Sequence, residues 1–366
     1  MKILRTYKVQ DNVNIYFNGD NEVRFRKGIW NYEEATLDLN WFESDNLRNA
    51  VVDVIKNLQE GKVVDIGDFH SKYHLISDEN SCIIELFNAL SEQSYFDDGS
   101  NDDRDMLMKY LIGGTVPDAI LKQGGNQYKT VTLIADSEKI EKYVKELADD
   151  IKLNVTIMQQ EEWRELERVD LTSKLNAIPT IEQLNKWSMV FETCSCVVVC
   201  MENPHVKLLR NLNRILLKQG KPMVLSLLDG PFISLMTIKG DETACYECYE
   251  NRVMSRLLDI PAYRNFVNET GGTMVKRDKT YATPILQTAA SIALFDALLY
   301  INVNKAKLAG RLLNIYVPLL EIQVQDLLRV PFCPACGHIS KANYEEMYTS
   351  SSQIVKKLIN SIEIVD

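Results

Sequence analysis

Cys245-Tyr246-Glu247-Cys248 and Val330-Pro331-Phe332-Cys333-Pro334-Ala335-Cys336-Gly337 are the two stretches that decide how this chain is read. Each holds a Cys-x-x-Cys pair, the spacing that lets one short turn offer two thiolates to a metal. The first pair follows a Gly240-Asp241-Glu242-Thr243 turn. In the second, Pro334 lies inside the pair and Gly337 just after it, which favours a tight turn with backbone N–H groups facing the sulfurs. Four thiolates complete a tetrahedral Zn2+ shell, with Zn–S near about 2.3 Å and no open position, so the ion is expected to be structural. The pairs are separated by the 84 residues from Tyr249 to Phe332, and that whole span is expected to belong to one folded unit.

Disulfides are the competing use of such cysteines. Nothing at the N-terminus resembles a secretory signal, and a reducing cytoplasm is the expected location. A thioredoxin-type redox pair would open a helix after a strand, whereas Cys333 follows Pro331-Phe332. Cys82, Cys194, Cys196 and Cys200 show no framework spacing, and all four are expected to pack as small core hydrophobes.

At 366 residues, two or three domains are expected. The chain is 46% hydrophobic and 25% charged, with a net charge of −10, which argues against a nucleic-acid partner. No membrane partner is expected either. The longest apolar run, Ala289–Ile301, contains Asp296 and reads as a buried helix too short to span.

The N-terminal part reads as short strands followed by helices. Ile3–Val9, Val13–Phe17 and Glu22–Lys27 are rich in β-formers, and the turn sequences Asp11-Asn12 and Asn18-Gly19-Asp20-Asn21 separate them. A helix starting at Asp45 or Asn46 aligns Leu47, Val51, Val54, Ile55 and Leu58 on one stripe, and Gly61 ends it. A shorter helix follows at Ile66–Tyr73. A third, with Ser77 as N-cap, spaces Ile83, Ile84, Phe87 and Leu90 helically. Three strands and three helices in 1–95 form a winged-helix pattern. The third helix, Asp78–Gln93, has no Lys or Arg to meet phosphates, so a peptide or protein is the expected partner. Residues 96–127 read as a linker holding one helix, with an acidic run at 97–103 and Gly pairs at 113–114 and 124–125.

From Tyr128 to Asp366 the pattern is strand–helix alternation, which implies an α/β domain with a mostly parallel sheet. Strands are expected at Thr130–Ala135, Asn154–Met158, Cys196–Met201, Pro222–Leu228 and Ile233–Ile238. A late hairpin is expected from Leu312–Val317 and Glu321–Leu327. Thr283-Pro284 opens a long apolar helix as N-cap and first-turn proline. The first turn of such a sheet decides nucleotide binding, because only Gly lets backbone approach a phosphate closely. Here it reads Leu133-Ile134-Ala135-Asp136-Ser137-Glu138, with no Gly and two carboxylates in the phosphate position. No Ser/His/Asp ordering is found around His70, His74, His205 or His338, and no catalytic residue is assigned.

The second Cys stretch, with Asp229-Gly230-Pro231 and Cys245-Tyr246-Glu247-Cys248 upstream, resembles the ThiF/MoeB-like fold of ubiquitin-activating enzymes. Within it, the chain is most similar to the partner protein of azoline-forming cyclodehydratases of thiazole/oxazole-modified microcins, streptolysin S type. The resemblance implies an N-terminal winged-helix-like peptide-recognition domain, then a degenerate ThiF/MoeB-like Rossmann-type sheet with a structural zinc site. It implies a non-catalytic component that binds the leader of a ribosomally made precursor peptide. The leader would add as a strand beside Glu22–Lys27 and lie against Asp78–Gln93. Val23, Arg24, Phe25, Ile84, Phe87 and Asn88 are the expected contacts, the apolar ones having a core role as the alternative. ATP is expected only on a separate YcaO-type partner, which would make the azoline. A flavin dehydrogenase in the same complex and a homodimer through the sheet domain are further implied partners. The alternatives are an ATP-dependent adenylating enzyme of the ThiF or microcin C type, an accessory leader-binding protein of a fused cyclodehydratase or thiopeptide pathway, and a winged-helix DNA regulator.

Overall fold

The computed structural model describes residues 6–10, 12–30, 32–42, 44–93, 95–97, 103–112, 130–172, 178–240, 242–274 and 283–337. They belong to two compact units, Met1–Thr115 and Val116–Asp366. Of the linker expected at 96–127, the described parts form a short strand, Phe96–Asp97, and a helix, Asp103–Ile112. The two Gly pairs, most of the acidic run, the side chain of His70 and all of His338 lie outside the described residues.

The first unit has one main sheet of β2 (Val13–Phe17), β3 (Glu22–Lys27) and β4 (Glu33–Asp38), all antiparallel with β3 in the middle. A smaller ladder places β1 (Thr6–Val9) between β5 (Val64–Asp65) and β6 (Phe96–Asp97). Ser44 caps α1 (Asp45–Gln59), its hydroxyl accepting the Leu47 N–H at 3.3 Å, and the expected stripe is buried. α2 spans Ile66–Tyr73 and α3 Ser77–Glu92. Ser77 is the first helical residue of α3 rather than its cap. Ile76 takes the cap position, and its N–H donates to the Glu79 carboxylate at 3.1 Å. The core closes on the rings of Tyr7, Phe25, Phe87 and Phe96, with centroids 5.4 to 6.4 Å apart. Burial pushes the Tyr7 hydroxyl up to about 12, and it donates to Asn88 Oδ1 at 2.9 Å.

The second unit is built on a seven-stranded sheet, ordered β13-β12-β11-β10-β9-β7-β8. Its strands are β7 (Thr130–Ala135), β8 (Asn154–Ile157), β9 (Cys196–Met201), β10 (Pro222–Asp229), β11 (Phe232–Lys239), β12 (Arg311–Tyr316) and β13 (Glu321–Asp326). β8, β7, β9 and β10 run parallel, while β10 to β13 form an antiparallel meander, so the sheet is half parallel rather than mostly so. The β10–β11 and β12–β13 connections are short, while among the described residues three helices lie between β11 and β12. Helices α5 (Glu138–Asp150), α6 (Gln160–Arg168), α7 (Ile178–Val190), α8 (Val206–Gln219), α9 (Tyr246–Met254), α10 (Ile260–Thr270) and α11 (Thr283–Val303) complete the unit, after α4 (Asp103–Ile112) in the first. Cys194, Cys196 and Cys200 are core residues as expected, and burial raises the Cys200 thiol to about 12. Cys82 is not: it is exposed on α3.

α11 corrects the expectation of a short apolar segment. It has 21 residues, long and apolar enough to cross a membrane by length and composition alone. Here it packs on β9, β10, β11 and α5, with Ala290, Ala293, Leu294 and Ala297 fully buried. Its one acid, Asp296, accepts from the Thr237 hydroxyl and from the N–H groups of Lys307 (2.5 Å) and Leu308 (3.3 Å), tying the helix to β11 and the loop before β12. Asp296→Ala is expected to cost the second unit about 1–3 kcal/mol or more in urea unfolding, because buried donors lose their acceptor. Burial raises the Asp296 pKa. Its folded value lies above its unfolded one, so its contribution to stability falls as pH rises through the folded value. Stability measured across acidic pH checks this, and Asp296→Asn is expected to flatten that part of the slope.

Candidate metal centre and peptide groove

Cys245 is the N-cap of α9, which puts Cys248 in the helix's first turn. The second knuckle lies in the turn after β13. The four sulfurs lie within 4.8 Å of one another and all four residues are buried. Sulfur separations are 3.8 Å for Cys245–Cys248, 3.5 Å for Cys245–Cys333 and 3.4 Å for Cys248–Cys336. A tetrahedron with metal–sulfur bonds of about 2.3 Å has edges of about 3.8 Å, whereas a disulfide requires about 2.05 Å. The donor set therefore fits a four-thiolate metal ion. Its backbone supports that use. The Val330 N–H donates to Cys248 Sγ at 3.3 Å, and the Gly337 N–H to the Cys333 carbonyl at 2.9 Å. A Cβ at position 337 would stand 2.5 Å from that carbonyl oxygen, so the turn requires glycine.

One side chain outside the Cys stretches holds the two knuckles together. Arg214 of α8 is 5% exposed. It donates to Glu247, inside the first pair, at 2.6 and 2.8 Å, and to the carbonyl of Pro334, inside the second, at 2.7 Å. Neighbouring Asn213 accepts the Tyr246 N–H at 3.0 Å. Nothing in the sequence marks Arg214 for this role except its place on a helix facing the cysteines. Arg214→Ala is expected to cost about 3–5 kcal/mol, because Glu247 is left as an unpaired buried charge. Loaded with Zn2+, the variant should also release the ion to a colorimetric chelator faster than the parent protein. Arg214→Lys should recover only part of either loss, since an ammonium cannot form the fork.

The crevice where a Rossmann-type sheet would take a nucleotide is closed differently. The strand order reverses between β7 and β9, the usual ligand position in such sheets. There both Asp136 carboxylate oxygens accept N–H groups, from Glu202 and Asn203, each at 2.9 Å. The adjoining hollow is lined, among the described residues, by four carboxylates, Asp136, Glu138, Glu141 and Glu202, against one cation, Lys139, a net acidic surface for any phosphate. A neighbouring chain of contacts escaped the sequence reading, because its members come from three separate segments. His205 Nδ1 lies 2.8 Å from Glu167 and its Nε2 3.4 Å from the Thr273 hydroxyl.

In the first unit the structure redraws the expected peptide site. β3 (Glu22–Lys27) is paired on both edges, with β2 and with β4, and cannot accept a further strand. Among the described residues, β4 pairs only with β3 and has an open edge. Val23, Phe25, Phe87 and Asn88 are buried in the core. Arg24 is tied to Glu22 and to Glu34, at 2.7 Å for the latter, and Ile84 is half-buried. Of the six, only Phe25 reaches a groove, a cleft of about 630 Å³ running between β4, the 3-10 turn Leu39–Trp41 and α3. Leu37, Trp41, Phe42, Leu47, Leu86 and Leu90 supply its apolar lining. Trp41 is 79% and Ile76 64% exposed, and both line the same cleft.

No family model and no curated protein matches this chain. Solved structures do match. A heterocyclase in complex with substrate and cofactor aligns at a TM-score of 0.59 and 14% identity, over 90% of this chain and 39% of that one. The heterocyclase TruD aligns at 0.60 and 16%, over 91% of this chain and 43% of that one. E. coli MccB with ATP aligns at 0.52 and 15%, over 91% of this chain and 100% of that one. The chain shares its fold with the heterocyclases and with MccB. It spans about two fifths of the heterocyclase chains and the full length of MccB. At these identities the likeness is one of fold.

Proposed function

We propose that this chain is the non-catalytic, leader-binding component of an azoline-forming cyclodehydratase in a microcin-type pathway. The observation that carries this reading is the open edge of β4 beside an apolar groove, in a chain with the heterocyclase fold. The leader of a ribosomally made precursor adds as a strand to β4. Its main-chain groups pair with the edge, and alternate side chains enter the groove. The first unit thus acts as a winged-helix-like recognition domain, and binding raises the precursor's local concentration at a partner. That partner is a YcaO-type protein carrying the ATP chemistry, in a cytoplasmic complex that also includes a flavin dehydrogenase. Zn2+ on Cys245, Cys248, Cys333 and Cys336 is structural. With four protein ligands it has no open position, and it would hold the second knuckle against the sheet.

The full-length likeness to MccB with ATP favours a second reading, an adenylating enzyme. The carboxylates at the β7–β9 crevice oppose it, since they would repel the phosphates.

The test is binding of a labelled leader, from the precursor gene expected beside this one, to the intact chain. Binding is expected without ATP, and Leu86→Glu is expected to weaken it by about tenfold or more, equivalent to about 1.4 kcal/mol. Leader binding that is unchanged by Leu86→Glu, or ATP binding by the isolated chain, would contradict the reading.

A further inference from the structure

The groove beside β4 has a charge as well as a shape. Two carboxylates, Asp78 and Glu79, line it, and among the described residues no Lys, Arg or His does. α3, which forms one wall, contains no basic residue. Both acids lie in its first turn, where the helix N-terminus offers only about half a positive charge against two negative ones. The cations nearest in sequence to the sheet edge are taken up elsewhere. Arg24 and Arg26 alternate with the core residues Val23 and Phe25, so they face the other side of the sheet, where both meet Glu34. Lys27 is nearer still and lies on the Phe25 face, but it donates to the Gln93 carbonyl and sits 3.7 Å from Glu33 and 4.3 Å from the Tyr95 ring centroid, none of which lines the groove. Trp41 adds an exposed indole to the same groove.

We infer that the occupant of this groove is a basic, apolar peptide strand. Aliphatic side chains at alternate positions fill the cleft. A flanking Lys or Arg lies by the Trp41 ring and the carboxylates of Asp78 and Glu79, combining cation–π attraction with charge pairing. This rests on the peptide-recognition reading above and adds to it the charge of the ligand. Cys82 lines the same groove and is the one exposed cysteine of the eight, so it reports on occupancy at a known place.

The experiment uses the full chain and two synthetic strand peptides with Val and Leu at alternate positions and Thr between. One is flanked by Lys at both ends, the other by Glu. The Lys peptide is expected to bind about tenfold tighter at low ionic strength, with the difference shrinking near ~0.5 M salt. The double variant Asp78→Asn, Glu79→Gln should lose the preference while keeping an acceptor for the Ile76 N–H. A Lys peptide with a groove-facing Cys, carried as a mixed disulfide with thionitrobenzoate, places the binding. The Cys82 thiolate attacks the peptide sulfur, the new disulfide forms and thionitrobenzoate leaves, whereas Cys82→Ser gives no such release. Equal affinity for the two peptides, with trapping at Cys82, overturns the charge inference and leaves the groove a peptide site. So does failure of both in a chain that still binds the precursor leader. Failure of both peptides and of the leader overturns the peptide-recognition reading itself.

Discussion

Buried charge must be paired, and in this chain that rule holds the end of the second unit in place. Arg214 is enclosed by the sheet and its helices, and its guanidinium is neutralised by Glu247 while a third N–H reaches Pro334. Through that one fork, two turns from distant parts of the sequence meet with their sulfurs at tetrahedral spacing. A metal ion on the four sulfurs would clamp the same two turns that Arg214 joins. The antiparallel meander β10–β13 supplies the path that brings the chain back to α8 and α9.

The two places where a fold of this kind could meet a ligand are treated in opposite ways. At the β7–β9 crevice, Asp136 spends both carboxylate oxygens on the backbone of Glu202 and Asn203, and the space beside it is acidic. In the first unit, a strand edge and an apolar cleft lie together without a partner among the described residues. Open edges are ready templates for pairing and are usually blunted by charge, proline or cover. β4 carries Glu33 and Glu34 at one end and Asp38 at the other, with Ala35, Thr36 and Leu37 between. That leaves a short neutral stretch flanked by acids, suited to one selected strand more than to promiscuous association.

The four-cysteine cluster was legible because Cys-x-x-Cys spacing is local and the residue type itself declares the chemistry. The acidic crevice was legible for the same reason: Gly is absent and Asp136 present at a turn that must face the ligand. β4 was not. Glu-Glu-Ala-Thr-Leu-Asp has little β-propensity, and its strand form comes from pairing with β3, a tertiary effect that single-sequence patterns do not carry. Without it the strand beside the groove was read as β3, and four of the six expected contacts, Val23, Phe25, Phe87 and Asn88, are core residues. Cys82 was assigned to the core by composition, although Ile83, Phe87 and Leu90 define the buried face of α3 and leave position 82 off it. Arg214 and the Glu167–His205–Thr273 contacts unite segments whose meeting depends on the whole fold.

The central claim is that a peptide adds to β4, and amide hydrogen exchange on the intact chain, with and without the precursor leader, tests it most directly. The account predicts slowed exchange in Glu33–Asp38 and in the first turns of α3, with the β7–β9 crevice unchanged. Protection at the crevice, or leader binding that leaves β4 exchange unaltered, would contradict it.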